Sequence, residues 1–342
     1  MNSDYTSIEL FAGAGGLALG LEQAGFKHIG LVEYDKYAAS TLKANRPKWN
    51  VICEDIEIVA KKDLEKEFNI KKGELDLLSG EAPCQSFSYA GKRLGLDNVR
   101  GQCFITMQFF LNKLQPKMFL FENVRDFYLT IRGEHSTQLS IFLSKRDIKI
   151  FYEVLNAWDY GVAQKRERLI VVGIRNDLVN DKQFFYPLKY KYKPVLADIL
   201  QDVPSSLGAK YSKTKEDIFS LVPPGDIEEI FLRIYAKNYM KSCWYMGGGR
   251  TGILRRLSLD EPSLTVLTTP QMKQTDRCHP TEVRPFTVRE NARIQSFSGR
   301  VDICCAMASQ YKQVGNAVPC NLAKEVGLKI LEKLEEIRYG NL

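Results

Sequence analysis

Short apolar runs alternate with segments of helical spacing through the first half of the chain. The runs at residues 7–11, 29–32, 75–78, 118–121 and 169–174 predict strands. Residues 17–24, 36–45 and 104–114 place apolar side chains at helical intervals and predict helices between them. Strands that alternate with helices favour a mostly parallel, doubly wound sheet that is covered on both faces. We therefore expect an α/β fold of the Rossmann-like kind.

The pattern changes after residue 175. Aromatic and lysine-rich loops at 186–194, proline turns and a triple glycine at 247–249 replace the alternation of strands and helices. Leu, Val and Ile then recur at helical spacing over residues 321–338. We expect a first domain at 1–185, a smaller domain at 186–283, and a segment at 284–342 whose helix packs back on the first domain.

Composition narrows the class of protein. The chain has 342 residues, 44% of them hydrophobic, which is enough for a sizeable core. No stretch approaches the roughly 20 apolar residues of a membrane span, and the start lacks a signal-peptide pattern, so a cytoplasmic protein is expected. The eight cysteines are scattered without Cys-x-x-Cys spacing and the three histidines lie far apart, so we assign no disulfide framework and no metal.

Charge is unevenly distributed along the chain. Residues 182–300 hold 19 Lys and Arg against 12 Asp and Glu, a surplus of 7, which is the whole net charge of +7. A basic segment beside a neutral one fits a phosphate-binding surface, although a solvated face is the commoner reason for a single cation.

A glycine-rich turn, Phe11-Ala-Gly-Ala-Gly-Gly16, lies between the first predicted strand and helix. Such turns serve nicotinamide, flavin and S-adenosylmethionine (SAM) sites, and many are only structural. Glu33 ends the next strand at about the 20-residue offset at which a carboxylate accepts from ribose hydroxyls, and Asp55 is expected at the following strand end, placed to accept from an adenine amino group. The set favours an adenosine-containing ligand.

Two further strand ends deliver reactive groups. Cys84 follows the run at 75–78 on a loop stiffened by Pro83, and Glu122 follows the run at 118–121. A thiolate and an acid are the pair that C5 of cytosine requires, because this carbon is a poor nucleophile until a thiolate adds at C6, and a proton donor at N3 makes that addition feasible.

These segments resemble the C5-cytosine DNA methyltransferases over almost the whole chain. The resemblance lies in six motifs in the family's order: Phe11-Ala-Gly-Ala-Gly-Gly16, Ala82-Pro-Cys-Gln85, Glu122-Asn-Val124, Gln164-Lys-Arg-Glu-Arg168, Arg289-Glu-Asn-Ala-Arg293 and Gly315-Asn-Ala-Val-Pro319. Ala82 stands where many members have a proline, and Ser298-Gly-Arg300 stands where the family commonly has Pro-Asp.

The resemblance implies roles for individual residues. It places Phe11, Gly13, Gly15, Glu33, Asp55, Ile56 and Asn316 at SAM, and Cys84, Glu122 and Arg168 at the cytosine. The base would be extruded from the duplex, with the segment 86–101 as a lid. Expected DNA contacts are Ser86, Arg93, Arg166, Arg250, Arg255 and Arg256, of which Arg166 is expected as a scaffold or phosphate contact.

The implied activity is methyl transfer to cytosine in a specific duplex DNA sequence by a monomeric prokaryotic modification enzyme, with a partner restriction endonuclease as a possibility. A tRNA methyltransferase of the same family and a catalytically inactive DNA-binding relative are the alternatives. A dinucleotide oxidoreductase, suggested by the glycine turn alone, leaves Cys84 and Glu122 unexplained. The DNA target sequence does not follow from the chain.

Overall fold

A computed structural model of the chain describes residues 5–81, 99–125, 148–179, 183–225, 237–245, 254–270 and 277–340. Its centre is a seven-stranded sheet with helices packed on both faces. The strands of this first half are β1 (Thr6–Leu10), β2 (Lys27–Val32), β3 (Val51–Ile52), β4 (Leu77–Gly80), β5 (Met118–Val124), β6 (Ile148–Asn156), β7 (Gln164–Lys165) and β8 (Glu167–Arg175). The helices are α1 (Gly16–Ala24), α2 (Lys36–Asn45), α3 (Ile56–Ala60), α4 (Leu64–Phe68) and α5 (Val99–Leu114).

The strands of the central sheet follow the order β3-β2-β1-β4-β5-β8-β6. Every pair from β3 to β5 is parallel, whereas β8 is antiparallel to both β5 and β6. The connections leave β1 and β4 in opposite directions, which opens a crevice at the carboxyl ends of these two strands. The predicted α/β fold with a mostly parallel sheet is confirmed.

Two apolar layers hold the helices against the sheet. On one face, β4 and β5 contribute Leu77 and Leu120, which pack with side chains of α1 and of the carboxyl-terminal helix. On the other face, Ile8 and Leu78 pack with side chains of α3, α4 and α5. The strands of the sheet interior are buried on both faces, as their continuous apolar runs require.

The second half is built from shorter elements. They are α6 (Leu196–Ile199), α7 (Lys213–Ser220), β9 (Arg255–Arg256), β10 (Ser263–Leu264), β11 (Arg277–Cys278), α8 (Val288–Ile294), α9 (Met307–Asn316) and α10 (Cys320–Tyr339). A small core of its own contains Phe219, Met240 and Cys278. β10 pairs with β7, which ties this half of the chain to the segment leading into β8.

The last helix, α10, lies against α1 of the first half. It packs on α1, where a Cβ added at Gly20 would overlap Ala323 and the carbonyl of Cys320, and one added at Gly327 would lie 2.8 Å from the Cβ of Ala24. Glycine on both helices therefore allows a close crossing. Among the described residues, no helix combines the length and apolar character needed to cross a membrane.

Candidate active site

The glycine turn between β1 and α1 adopts a backbone that glycine favours. Gly13 and Gly15 have φ of 53° and 87°, and Phe11, although not a glycine, has φ 58°. The Gly15 amide donates to the carbonyl of Ala12 over 2.9 Å, which closes the turn. A Cβ at Gly16 would overlap the carbonyl oxygen of Val318, so the turn is packed tightly against the chain that enters α10.

Glu33 ties the end of β2 to this turn. Its Oε2 accepts from the Gly13 amide over 2.7 Å, and its Oε1 accepts from the Asp35 amide over 2.6 Å. Burial raises the pKa of the Glu33 carboxyl, and the two amide donors oppose that shift. Each carboxylate oxygen can accept more than one bond, so Glu33 braces the turn and retains capacity for a ligand's hydroxyl groups.

The other residues expected at the cofactor lie near the same edge. Asp55 follows β3 and caps α3, its Oδ1 accepting from the Glu57 amide over 2.8 Å, and Ile56 is buried beside it. Asn316 ends α9 with an exposed side chain. The parallel order of β3, β2 and β1 brings the carboxyl ends of these strands to one edge of the sheet.

Glu122 lies on β5 and Arg168 faces it from β8. The two strands are antiparallel with Val124 opposite Arg168, and the Arg168 Nε lies 2.8 Å from the Glu122 Oε1. Glu122 is only 7% exposed, and Oε1 has no well-aligned hydrogen bond among the described residues. Burial raises the pKa of the Glu122 carboxyl, against the opposing charges of Arg168 and Arg166. Burial therefore makes Glu122 a weaker acid than a solvated glutamate, while the ion pair with Arg168 holds the carboxyl in place.

A cavity of about 430 Å³ opens beside this pair. Its lining residues are Val124, Arg125, Asn156, Lys165, Glu167, Arg168 and Thr265. Three of these side chains are cationic and one is anionic, and two of the cations are paired, Arg168 with Glu122 and Arg125 with Glu167.

Arg166 is only 2% exposed, which leaves no surface for a phosphate contact. Its guanidinium donates to the backbone carbonyls of Val266, Gly315 and Asn316 over 3.1–3.3 Å. The expectation of a DNA contact at Arg166 is therefore replaced by its scaffold role. Its guanidinium links the chain between β7 and β8 to the chain just after β10 and to the end of α9.

A buried amide pair, which sequence reasoning missed, supports the same junction. Gln164 Nε2 donates to Gln295 Oε1 over 2.6 Å, and Gln295 Nε2 donates to the carbonyls of Val314 and Ala317. Both glutamines are fully buried. The sequence signals were that Gln164 begins the Gln164–Arg168 motif and that Gln295 lies two positions after the Arg289–Arg293 motif, but no local pattern links residues 131 positions apart.

The remaining expected residues divide into two groups. Cys84, Ser86, Arg93 and Arg250 lie outside the described residues. Arg255 and Arg256 are described and engage the protein itself: Arg255 forms an ion pair with Glu261 at 3.2 Å, and Arg256 donates to the carbonyls of His279 and Pro280. No group of three or more potential metal-ligating side chains occurs among the residues that the structure describes.

A doubly wound sheet with a glycine turn, an acid at the next strand end and a buried Glu–Arg pair at the same edge defines an α/β enzyme of the Rossmann-like methyltransferase class. A family model described as C-5 cytosine-specific DNA methylase matches residues 5–332. The chain belongs to the C-5 cytosine-specific DNA methylase family. The predicted family and enzyme class are thereby confirmed.

Similarity to known proteins covers nearly the whole chain. The Type II methyltransferase M.Sau96I of Staphylococcus aureus is 49% identical over 338 residues, covering 98% of this chain and 77% of that protein. M.PspPI of Psychrobacter sp. (strain TA137) is 47% identical, covering 96% and 80%. Among solved structures, a prophage-encoded DNA modification methyltransferase of E. coli shares the fold, with a TM-score of 0.74, 21% identity and coverage of 97% and 100%.

Proposed function

We propose that this chain transfers a methyl group from SAM to C5 of cytosine in a specific duplex DNA sequence. The observation that carries the proposal is the buried Glu122–Arg168 pair on the same sheet as the strand that leads into the glycine turn, in a chain whose family model covers residues 5–332. The relatives named as Type II methyltransferases favour DNA over tRNA as the substrate, and two catalytic motifs, at Cys84 and Glu122, argue against an inactive binding module.

The cofactor site fits SAM. A Cβ at Gly13 would meet no atom of the described residues within 4 Å, so open space lies beside this glycine at the amino-terminal end of α1. The carboxylate of Glu33 borders that space through its bond to the Gly13 amide. Gly13, Gly15 and Phe11 would form the turn under the cofactor, Glu33 would accept from its ribose, and Asp55, Ile56 and Asn316 would complete the site. When bound, SAM supplies an electrophilic methyl group.

At the base, Cys84 would add to C6 as the thiolate while Glu122 gives a proton to N3. Arg168 would hold the Glu122 carboxyl in place and balance its charge once the proton has left. After C5 has gained the methyl group, loss of the C5 proton and of the thiolate restores the aromatic ring, and N3 returns its proton to the acid. The net products are a methylated cytosine, S-adenosylhomocysteine and one proton.

The DNA would approach from the cavity beside Arg168. Arg125 and Lys165 border it, and a flipped nucleotide brings its flanking phosphates to such a rim. Ser86, Arg93 and Arg250 are the sequence-based candidates for further contacts. We place the enzyme as a monomer in the cytoplasm, and a restriction endonuclease of the same specificity is its proposed partner.

The deciding experiment compares the wild-type protein with Cys84→Ser, using tritiated SAM and either duplex DNA or tRNA. We expect the wild-type protein to methylate duplex DNA only. Cys84→Ser should show no turnover, because a hydroxyl is a far poorer nucleophile than a thiolate, and its DNA binding should be nearly unchanged. Bisulfite sequencing of DNA from cells that express the chain would identify the target. Full activity of Cys84→Ser, or transfer to tRNA alone, would refute the proposal.

A further inference from the structure

A second glutamate, Glu81, lies next to Glu122. It directly follows β4, whose Gly80 is paired with Phe121 on β5, so the next position along the two parallel strands brings Glu81 beside Glu122. Ser79 is paired with Glu9 on β1 and with Leu120 on β5. Because side chains alternate along a strand, Glu9, Glu81 and Glu122 share one face of the sheet.

Among the residues that the structure describes, this face offers too few positive charges for three carboxylates. Glu9 is fully buried and Glu122 is 7% exposed, while Glu81 is half-buried with its Oε1 shielded from solvent and without a hydrogen bond among the described residues. Arg166 faces Glu81, but its guanidinium already serves three backbone carbonyls. Arg168 is paired with Glu122.

The other groups around Glu81 do not change that balance. Glu9 faces it from β1 and Glu122 from β5, both as acids, while the Val318 amide from the chain entering α10 favours its charged form. The Cys320 thiol at the start of α10 is neutral, since burial raises its pKa to about 12. Like carboxylates at such close range cannot both ionise easily, so at least one of them retains a proton.

We propose that Glu81 and Glu122 act as an acid pair that shares one proton, with Glu81 as the positioning residue that keeps this proton available to Glu122 for cytosine N3. The inference rests on the proposed function. When N3 takes the shared proton from Glu122, both carboxyls are ionised. The pair recovers this proton from N3 when the thiolate leaves. The pair is therefore unchanged after each turnover, and the C5 proton is the one released to solvent.

The electrostatics support this arrangement. Burial raises the pKa of Glu81 well above its usual value, and the charge of Glu122 adds to that shift. Burial also raises the pKa of Glu122, and the charges of Arg168 and Arg166 oppose that shift. The two carboxyls therefore titrate as a unit, as other carboxyl dyads do, and Glu122 is the member paired with Arg168.

The test is the pH dependence of single-turnover methyl transfer by wild type, Glu81→Gln and Glu81→Asp. Wild-type transfer should fall at high pH, when the pair loses its last proton. In Glu81→Gln the remaining carboxyl has no anionic neighbour, so this falling limb should move to lower pH by about one unit or more. Glu81→Asp keeps a carboxyl and should retain most of the wild-type limb. The rising limb at low pH, which reports thiolate formation, should stay in place in all three.

A purely structural role for Glu81 would lower the rate without moving the limb, and that result would overturn the inference. SAM binding and circular dichroism establish that each variant is folded. Glu9→Gln, the same change on the same face but one strand further from Glu122, should move the limb less than Glu81→Gln does. An equal shift in both variants would also count against a specific pair. Absence of transfer by the wild-type protein would instead refute the proposed function.

Discussion

Gly13→Ala is expected to have two separate effects, a small loss of folding stability from backbone strain and a loss of SAM affinity from the space that the new methyl group fills. Gly13 has φ +53°, where an alanine costs about 1–2 kcal/mol relative to glycine. Its Cβ would meet no atom of the described residues within 4 Å, so these residues add no steric penalty to this cost. The free energy of unfolding should therefore fall by only about 1–2 kcal/mol. SAM, if it lies over this turn, would lose the space that the new methyl group fills, and we expect its affinity to fall about tenfold or more, equivalent to roughly 1.4 kcal/mol.

Gly73→Ala is the matched control. Gly73 also has a left-handed backbone, with φ +88°, and its Cβ would meet only the Arg175 guanidinium at 3.5 Å. It precedes β4, at the opposite end of the strand from the proposed cofactor site, so it should share the loss of stability and keep its SAM affinity. Calorimetry gives the Kd, and thermal unfolding with and without SAM gives the linked stabilisation. A folded Gly13→Ala protein that binds SAM within twofold of wild type would refute the placement of the cofactor.

Three other substitutions test the acids and the scaffold. Glu122→Gln should slow single-turnover transfer about 100-fold or more, the usual loss for a general acid, and an unchanged rate would assign Glu122 another role. Arg166→Leu should lower the free energy of unfolding by about 2–4 kcal/mol because it leaves buried carbonyls unpaired. Arg125→Leu removes an exposed ion pair and should lower it by less than about 1 kcal/mol. Similar losses for the two variants in urea denaturation would contradict this reasoning. Burial raises the pKa of Glu9 well above the value of 4.5 for a solvated glutamate. The contribution of the Glu9 carboxyl to the free energy of unfolding is therefore full below about pH 4.5 and is lost as the pH rises through the folded-state pKa. Glu9→Gln should therefore gain stability over wild type between pH 5 and pH 8, and a pH-independent difference would argue against a buried, protonated Glu9.

The elements that the sequence predicts best are those with clear local signals. The helix at 36–45 has its predicted bounds, and Asp35 caps it by accepting from the Tyr37 amide. The strand predicted at 75–78 occupies Leu77–Gly80, because Ser79 and Gly80 are small and give no apolar signal although both are buried. The prediction missed β6, an edge strand whose exposed Tyr152 and Glu153 interrupt its apolar pattern.

The same distinction applies to the site. Placing functional groups at strand ends required only the order of the motifs, since parallel strands bring their carboxyl ends to one edge. The carbonyl partners of Arg166 and the pairing of Gln295 with Gln164 could not be predicted, because these partners lie about 100 to 150 positions away and no local pattern links them. Glu81 was missed for a related reason: it lies beside the Cys84 motif, and only the strand register brings it next to Glu122.

One short segment, residues 315–319, lies between the proposed cofactor turn and the proposed acid pair. The Val318 carbonyl is packed against Gly16 of the cofactor turn, while the Val318 amide favours the charged form of Glu81. The carbonyls of Gly315 and Asn316 accept from Arg166, which in turn faces both Glu81 and Glu122. A change that displaces this segment should therefore weaken SAM binding and alter the proton affinity of the acid pair together. Gly16→Ala, whose Cβ would overlap the Val318 carbonyl, should have both effects, whereas Gly13→Ala should weaken SAM binding and leave the high-pH limb of methyl transfer in place.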